Sequence, residues 1–477
     1  MRGKIGLLIL FIFTICSNPL YAYDDKVHIM LNENTINPSN SKTDEILRQQ
    51  IGLVEGIDTE LVKNNISKTI KEWLSFGGEA EDYGYAFKKD PVTSRSYNHF
   101  HDPLKDWEDA GLDNELLENI YFINYLKYPV SAILWGLNPS EQDFMMNLIG
   151  DWSWGKAKES YFIYLTGKNF EGESVADTED ERNAYLADSF TALGQIMHLL
   201  QDMSVPLHTR NDAHIFPLFD IQKNYWTYET YTKNNIDTLD FTPDQPGDIP
   251  DPHFFEVPVI IQDPIYTNLS PLVGLFDRNA YNDSDSIPQS KILGLAEYSN
   301  ANFLTKDTMW TYPHPNKADT NINQIDWLNP EIIIADDGKI DARIYIRKTI
   351  GEEINHLAVV DYWTYEYFGH IETIPKGLTL DDECWKEYAS FLIPRAVGYS
   401  AALLDYFFRG SIEISIPDDG FYALTDNPAT GFTGIKLNAR NITENGEEMT
   451  NGTVELVIKY RLSQGDPFTN NYSGTPS

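Results

Sequence analysis

The sequence predicts a mainly α protein, with a multi-helix body over residues 23–410 and a small all-β, sandwich-like module over residues 411–477. Apolar residues recur at helical spacing through the body, as in Asn114 to Leu126 and Tyr185 to Leu200. After Gly410 the pattern changes to period two between Gly, Asn and Asp turns. The first 22 residues have a third texture, that of a leader.

The leader places Arg2 and Lys4 before an apolar run from Gly6 to Cys16, then small residues up to Ala22. That order describes a cleaved secretory signal, and the run is too short to span a bilayer. Lipid anchoring at Cys16 is the alternative, disfavoured by the bulk of Ile15 before it. Cleavage after Ala22 gives a chain beginning at Tyr23 in the periplasm, at the cell surface or outside the cell. Cys384 then remains as a lone thiol, expected to pack in the core, and no disulfide within the chain can form.

Within the body, Thr242 to Pro252 is rich in proline and aspartate and cannot continue a helix, so residues 235–264 are expected to form an irregular surface insertion. A second break is expected from Tyr312 to Asp319. In the tail, segments beginning at Ser411, Gly434 and Gly452 alternate apolar and polar residues as strands do, and the module is small or incomplete. No stretch beyond the leader is long and apolar enough for a membrane span.

Acidic residues outnumber basic ones 72 to 36, a net charge of −36, and no Lys/Arg cluster interrupts them. Tight binding of duplex nucleic acid or of anionic lipid is therefore disfavoured, unless bound metal ions reverse the sign locally.

The chemistry is concentrated in a few short segments. His198-Leu-Leu-Gln-Asp202 puts an imidazole and a carboxylate one turn apart on a single helix face, and His208 follows beyond the helix-stopping Pro206. Mixed imidazole and carboxylate sets suit zinc. The ordinary reading of an isolated His-x-x-x-Asp is a core histidine bonded to the aspartate. Three further features weigh against it. Asn98-His-Phe-His-Asp-Pro103 carries His99 and His101 before a turn. Gly77-Gly-Glu-Ala-Glu-Asp82 carries adjacent carboxylates after a helix expected to end at Trp73 to Phe76, although such pairs are usually solvated loop. Tyr23, as a new N-terminus, would offer an amine and a carbonyl five residues before His28. Glu352 and Glu353 before His356 have helical spacing and are expected on an exposed face or at a cap. Trp152, Trp154 and Tyr225 to Tyr228 are expected in the core.

In this order, Tyr23 with His28, Asp82, His99, and His198-x3-Asp202-x5-His208 resemble the metal motifs of the zinc-dependent phospholipase C and P1-type nuclease superfamily, over about residues 23–229. Tyr298 to Thr308 and Pro394 to Gly410 also resemble segments of its larger bacterial members. The resemblance implies the family's helical fold and a cluster of up to three zinc ions. One would be held by the Tyr23 amine and carbonyl with His28, where the family usually has Trp. A second would be held by His99 and His198, with Asp202 bridging, and Asp82 would act as ligand or base, with Glu81 as its competitor. The third would use His208 with a following His-x-x-x-Glu or His-x-x-x-Asp pair. The nearest match found is Asp220 with Asn224, which lacks the imidazole, and His214 is the substitute. Two zinc ions are therefore expected and the third is in question.

The implied activity is a secreted, zinc-dependent phosphodiester hydrolase acting on a phospholipid head-group ester, with Asp82 and Asp202 catalytic. The alternatives are a P1-type nuclease acting on single-stranded nucleic acid or nucleotides, and a non-catalytic, metal-braced protein attached to a surface through its β module.

Overall fold

The computed structural model describes residues 23–83, 95–112, 129–138, 141–142, 150–212, 227–250, 271–281, 293–306, 331–334, 340–349, 352–361, 378–420, 423–424 and 434–443. The leader, the segment 114–126, the second break at 312–319, the last strand of the tail, and Asp220, Asn224 and His214 all lie outside them.

Among the described residues the protein is mainly α, with small antiparallel sheets. The chain divides into two units, Met1–Leu403 and Leu404–Ser477. In the first, helix α1 spans Asp25–Thr35, and a hairpin of β1 (Glu60–Lys63) and β2 (Ile66–Thr69) follows. Asn64 and Asn65 turn that hairpin at φ of 52° and 62°, the left-handed pair that a two-residue loop needs.

Helix α2 then runs from Ile70 to Tyr83. Thr69 and Glu72 cap it reciprocally, each accepting from the other's backbone N–H. The helix was expected to stop near Phe76, because two glycines follow. It continues through them, since Gly77 and Gly78 lie where another helix crosses. A Cβ at Gly77 would stand 2.1 Å from the Thr191 carbonyl oxygen, and one at Gly194 would stand 2.0 Å from that of Leu74. Glu81 and Asp82 are consequently helical and buried, not solvated loop.

The crossing helix is α5, Glu179–Asp202, after α3 (Ala132–Leu137) and α4 (Trp154–Thr166). Thr178 and Glu181 form its capping box. From Leu186 onward nearly every residue is buried, so α5 is the central helix, with α1, α2, α3 and α4 packed around it. Trp152 and Trp154 lie in this core, as expected.

After the short α6 (Pro206–Thr209) come α7 (Tyr228–Asn234), α8 (Leu295–Asn302) and α9 (Asp382–Phe407). Residues 239–250 are irregular, as the prolines require, but they do not simply cover the surface. Phe241 and Asp248 are buried, and Asp248 lies 3.7 Å from Arg395 of α9.

The body also contains an antiparallel sheet the helical reading missed, β3 (Glu331–Ile334), β4 (Ile340–Lys348) and β5 (Ile354–Asp361). His356 therefore sits on a strand, not a helix, and its Nδ1 is 2.9 Å from Glu387. Val359, Val360, Ile344 and Ile346 pack with Cys384 and Trp385 of α9 in one core, so the thiol is a packing group, as expected.

In the second unit the described tail is stranded. Ile412–Ser415 pairs antiparallel with Asn438–Asn441, and Ala423–Leu424 with Gly434–Ile435. Across the described residues no helix is long and apolar enough to cross a membrane.

Candidate metal centre

The crossing of α2 and α5 sets the site. Because glycines let the two backbones touch, the His198 Nδ1 donates to the Gly78 carbonyl at 2.8 Å, which turns its Nε2 inward. Asp202, one turn on, occupies the same space, with Oδ2 3.3 Å from that Nε2. Helix α1 supplies His28, whose Nδ1 lies 2.8 Å from Gln201 Oε1 and whose Nε2 lies 3.3 Å from Asp202 Oδ1. The Gln201 amide donates in turn to Asn32, which tethers α1 to α5.

His99 enters from a loop bound at both sides. The His101 N–H donates to the His208 carbonyl, and the Ala132 N–H to the Phe100 carbonyl. The His99 Nδ1 lies 3.0 Å from Asp202 and 3.8 Å from Asp82. His208, on α6, donates from Nδ1 to the His99 carbonyl at 2.9 Å. Its Nε2 is 3.6 Å from Glu229.

Two overlapping groups, His28/His198/Asp202 and Asp82/His99/His198, each bring three buried ligand atoms within 4.8 Å of one another and have the composition to hold a metal ion. His28, His99, His198 and Asp202 are completely buried. Both oxygens of Asp82 and of Asp202, with the Nε2 atoms of His28 and His99, have no hydrogen bond of proper geometry among the described residues. A buried polar atom left this way costs about 1–3 kcal/mol, and five of the six, all but the outward His99 Nε2, face one space, which is not how a satisfied core is built. A cation placed among them would satisfy the carboxylate oxygens and the inward nitrogens together.

The buried groups shift one another strongly. Burial opposes charge on His99, yet its contacts with Asp202 and Glu81 push it up to about 10. Burial and the neighbouring His28 push His198 down to about 3. Burial raises Asp82 well above the usual carboxylate range against the pull of His99, and the charges of Asp202 and Asp25 add to the rise. Asp202 resists burial and is held well below that range by the imidazoles of His198 and His208.

The expected residues fall into three groups. His28, Asp82, His99, His198, Asp202 and His208 converge. Tyr23 stands beside them, its ring edge-on to His28 at 5.6 Å and its hydroxyl bonded to Ser204 and Tyr228. Glu81 does not compete with Asp82 for the centre, because Arg95 and Trp135 hold its carboxylate from the other side. His101 is not a ligand either, since its ring bridges Ser131 and Asp277.

Sequence reasoning missed two carboxylates. Glu229 faces His208 from the first turn of α7, beyond Asp220 and Asn224 in the sequence. Asp25 faces Asp82 from the first turn of α1. Allowing a carboxylate without its imidazole partner would have found the first, and no local signal marks the second. Comparison with known proteins finds no matching family model, no matching curated protein and no matching solved structure, so the residues of the site itself carry the functional reading.

Proposed function

We propose that the protein is an exported zinc-dependent phosphodiester hydrolase whose centre is built by His28, Asp82, His99, His198 and Asp202, with His208 and Glu229 at its edge. The carrying observation is the convergence of His28, His99 and His198 on the Asp202 carboxylate, at 3.0–3.3 Å. A carboxylate contacted from three sides is suited to bridging two ions. Nitrogen and oxygen donors in this mixture favour zinc over magnesium or calcium.

These residues would hold zinc, which would supply a water acidified towards neutrality and would neutralise charge building on a phosphoryl group. The protein's own part is positional. Gly78, Gln201 and the His99 carbonyl each hold one imidazole nitrogen, so that the other faces the centre. Asp82 brings two oxygens into the same space and is placed to orient or deprotonate a water there.

The acidic chain, with no Lys/Arg cluster in its sequence, favours a phospholipid head-group ester over a single-stranded nucleic acid. Complete burial of the cluster favours a second reading, in which metal braces the helices and no substrate is turned over.

The test uses the chain starting at Tyr23 and the same chain with a Met before it. Zinc content and turnover of phosphatidylcholine, single-stranded DNA and RNA are measured. Hydrolysis that depends on zinc and on the free Tyr23 amine supports the proposal, with the lipid favoured. Retained zinc without turnover of any substrate selects the bracing reading.

A further inference from the structure

One imidazole of the cluster is turned the opposite way from its neighbours. In His28, His198 and His208 the Nδ1 atom is held by a fixed acceptor, at 2.8, 2.8 and 2.9 Å, and Nε2 is the nitrogen nearer the centre or its edge. In His99 the Nδ1 atom faces Asp202 and Asp82, so Nε2 points outward and must carry the proton when Nδ1 gives its lone pair to an ion. That Nε2 is buried without a well-formed hydrogen bond, and the carboxylate in reach is Glu81, with Oε1 at 3.7 Å.

Glu81 is held at both of its carboxylate oxygens. The Arg95 guanidinium donates to its Oε2 at 2.8 Å, and the Trp135 indole donates to its Oε1 at 2.8 Å. The same guanidinium donates to Gln142 and lies over the Trp135 ring, so it has no freedom of its own. Adjacent residues on a helix diverge by about 100°. Glu81 and Asp82 thus approach His99 from its two nitrogens, Asp82 at Nδ1 and Glu81 at Nε2.

We infer that Glu81, locked by Arg95 and Trp135, is the positioning residue for His99: its Oε1, 3.7 Å away, attracts the proton on Nε2 and thereby keeps Nδ1 aimed at the metal centre. This rests on the metal reading above. Outer carboxylates that orient a ligating histidine are worth about 10- to 100-fold in metal affinity.

The experiment compares two double variants of the chain starting at Tyr23. Both remove the buried ion pair, so neither leaves an unpaired charge. E81Q/R95M keeps an acceptor for His99, and E81L/R95M does not. Zinc affinity is measured by chelator competition, and the visible spectrum is recorded with Co2+ in place of zinc. Thermal unfolding of both metal-free variants checks that they fold, and Glu81→Met replaces Glu81→Leu if the leucine variant does not.

The expected result is near wild-type affinity and spectrum for the glutamine variant, with affinity about 10- to 100-fold weaker and an altered spectrum for the leucine variant. Equal affinities and spectra in the two would overturn the inference and leave Glu81 a partner of Arg95 alone. A wild-type chain that takes up neither metal overturns the metal reading beneath it.

Discussion

His198 and His99 meet edge to face in one buried space, ring centroids 4.6 Å apart and Nε2 of the first 3.2 Å from Nδ1 of the second. Two inward lone pairs repel at that distance. Without an ion, a proton must sit between them, and Asp202 and Glu81 place it on His99.

The pH dependence follows. His99 is raised from 6.5 to about 10 in the folded chain, so its contribution is fully present below 6.5 and is lost as pH rises through 10. His198 is lowered to about 3, so its contribution is present above 6.5 and is lost as pH falls through 3. The melting temperature of chelator-stripped protein should therefore fall between pH 7 and pH 10 along the His99 limb. Zinc-loaded protein should fall less, because the ion keeps His99 deprotonated. Zinc uptake near pH 7.5 should release protons, readable by titration calorimetry in buffers of different ionisation enthalpy. Uptake with no proton release contradicts the assignment of His99.

Asp202→Asn removes the charge that His28, His99 and His198 all face while keeping its shape. Zinc affinity should drop by more than the roughly 100-fold that loss of an outer partner costs. Chelator competition checks this. A variant that keeps two ions at wild-type affinity would remove Asp202 from the bridging role.

Gly194→Ala places a methyl group 2.0 Å from the Leu74 carbonyl oxygen, a backbone atom that cannot rotate away. The helices must separate, at a cost of about 1–3 kcal/mol or more. Since the His198–Gly78 bond spans that crossing, zinc affinity should fall with the melting temperature. An unchanged metal site would show that the crossing does not set it.

His99 and His101 separate by consequence. His101→Leu leaves the Asp277 carboxylate buried with the Trp107 indole as its remaining side-chain donor and should cost about 3–5 kcal/mol. His99→Leu removes a nitrogen assigned to ion binding instead, and should abolish one zinc site, which His101→Leu should leave in place. Denaturant unfolding and zinc content, measured on both, check the contrast.

The helix carrying His198 and Asp202 was legible because spacing of four residues on an apolar helix depends only on local geometry. The order of His28, Asp82, His99 and His208 was legible through resemblance, and all four converge. Gly77 and Gly78 misled because glycine usually ends a helix, while here tertiary contact requires its missing Cβ. Glu229 was not legible because Tyr225, not an imidazole, stands four residues before it. The sheet at residues 331–361 was overlooked although Ile340 to Lys348 is rich in β-branched and aromatic residues, since it lies between helical segments. His101 shared every local feature of a ligand, and only the distant Asp277 distinguishes it.

The most direct measurement is zinc per molecule in the chain starting at Tyr23, determined by elemental analysis and by anomalous scattering from crystals. Two ions are predicted in the space of the two overlapping groups, one on each side of Asp202, whose Oδ1 lies 3.3 Å from His28 and Oδ2 3.0 Å from His99. A protein that folds, takes up no zinc from excess and shows no anomalous density at Asp202 would contradict the metal centre outright.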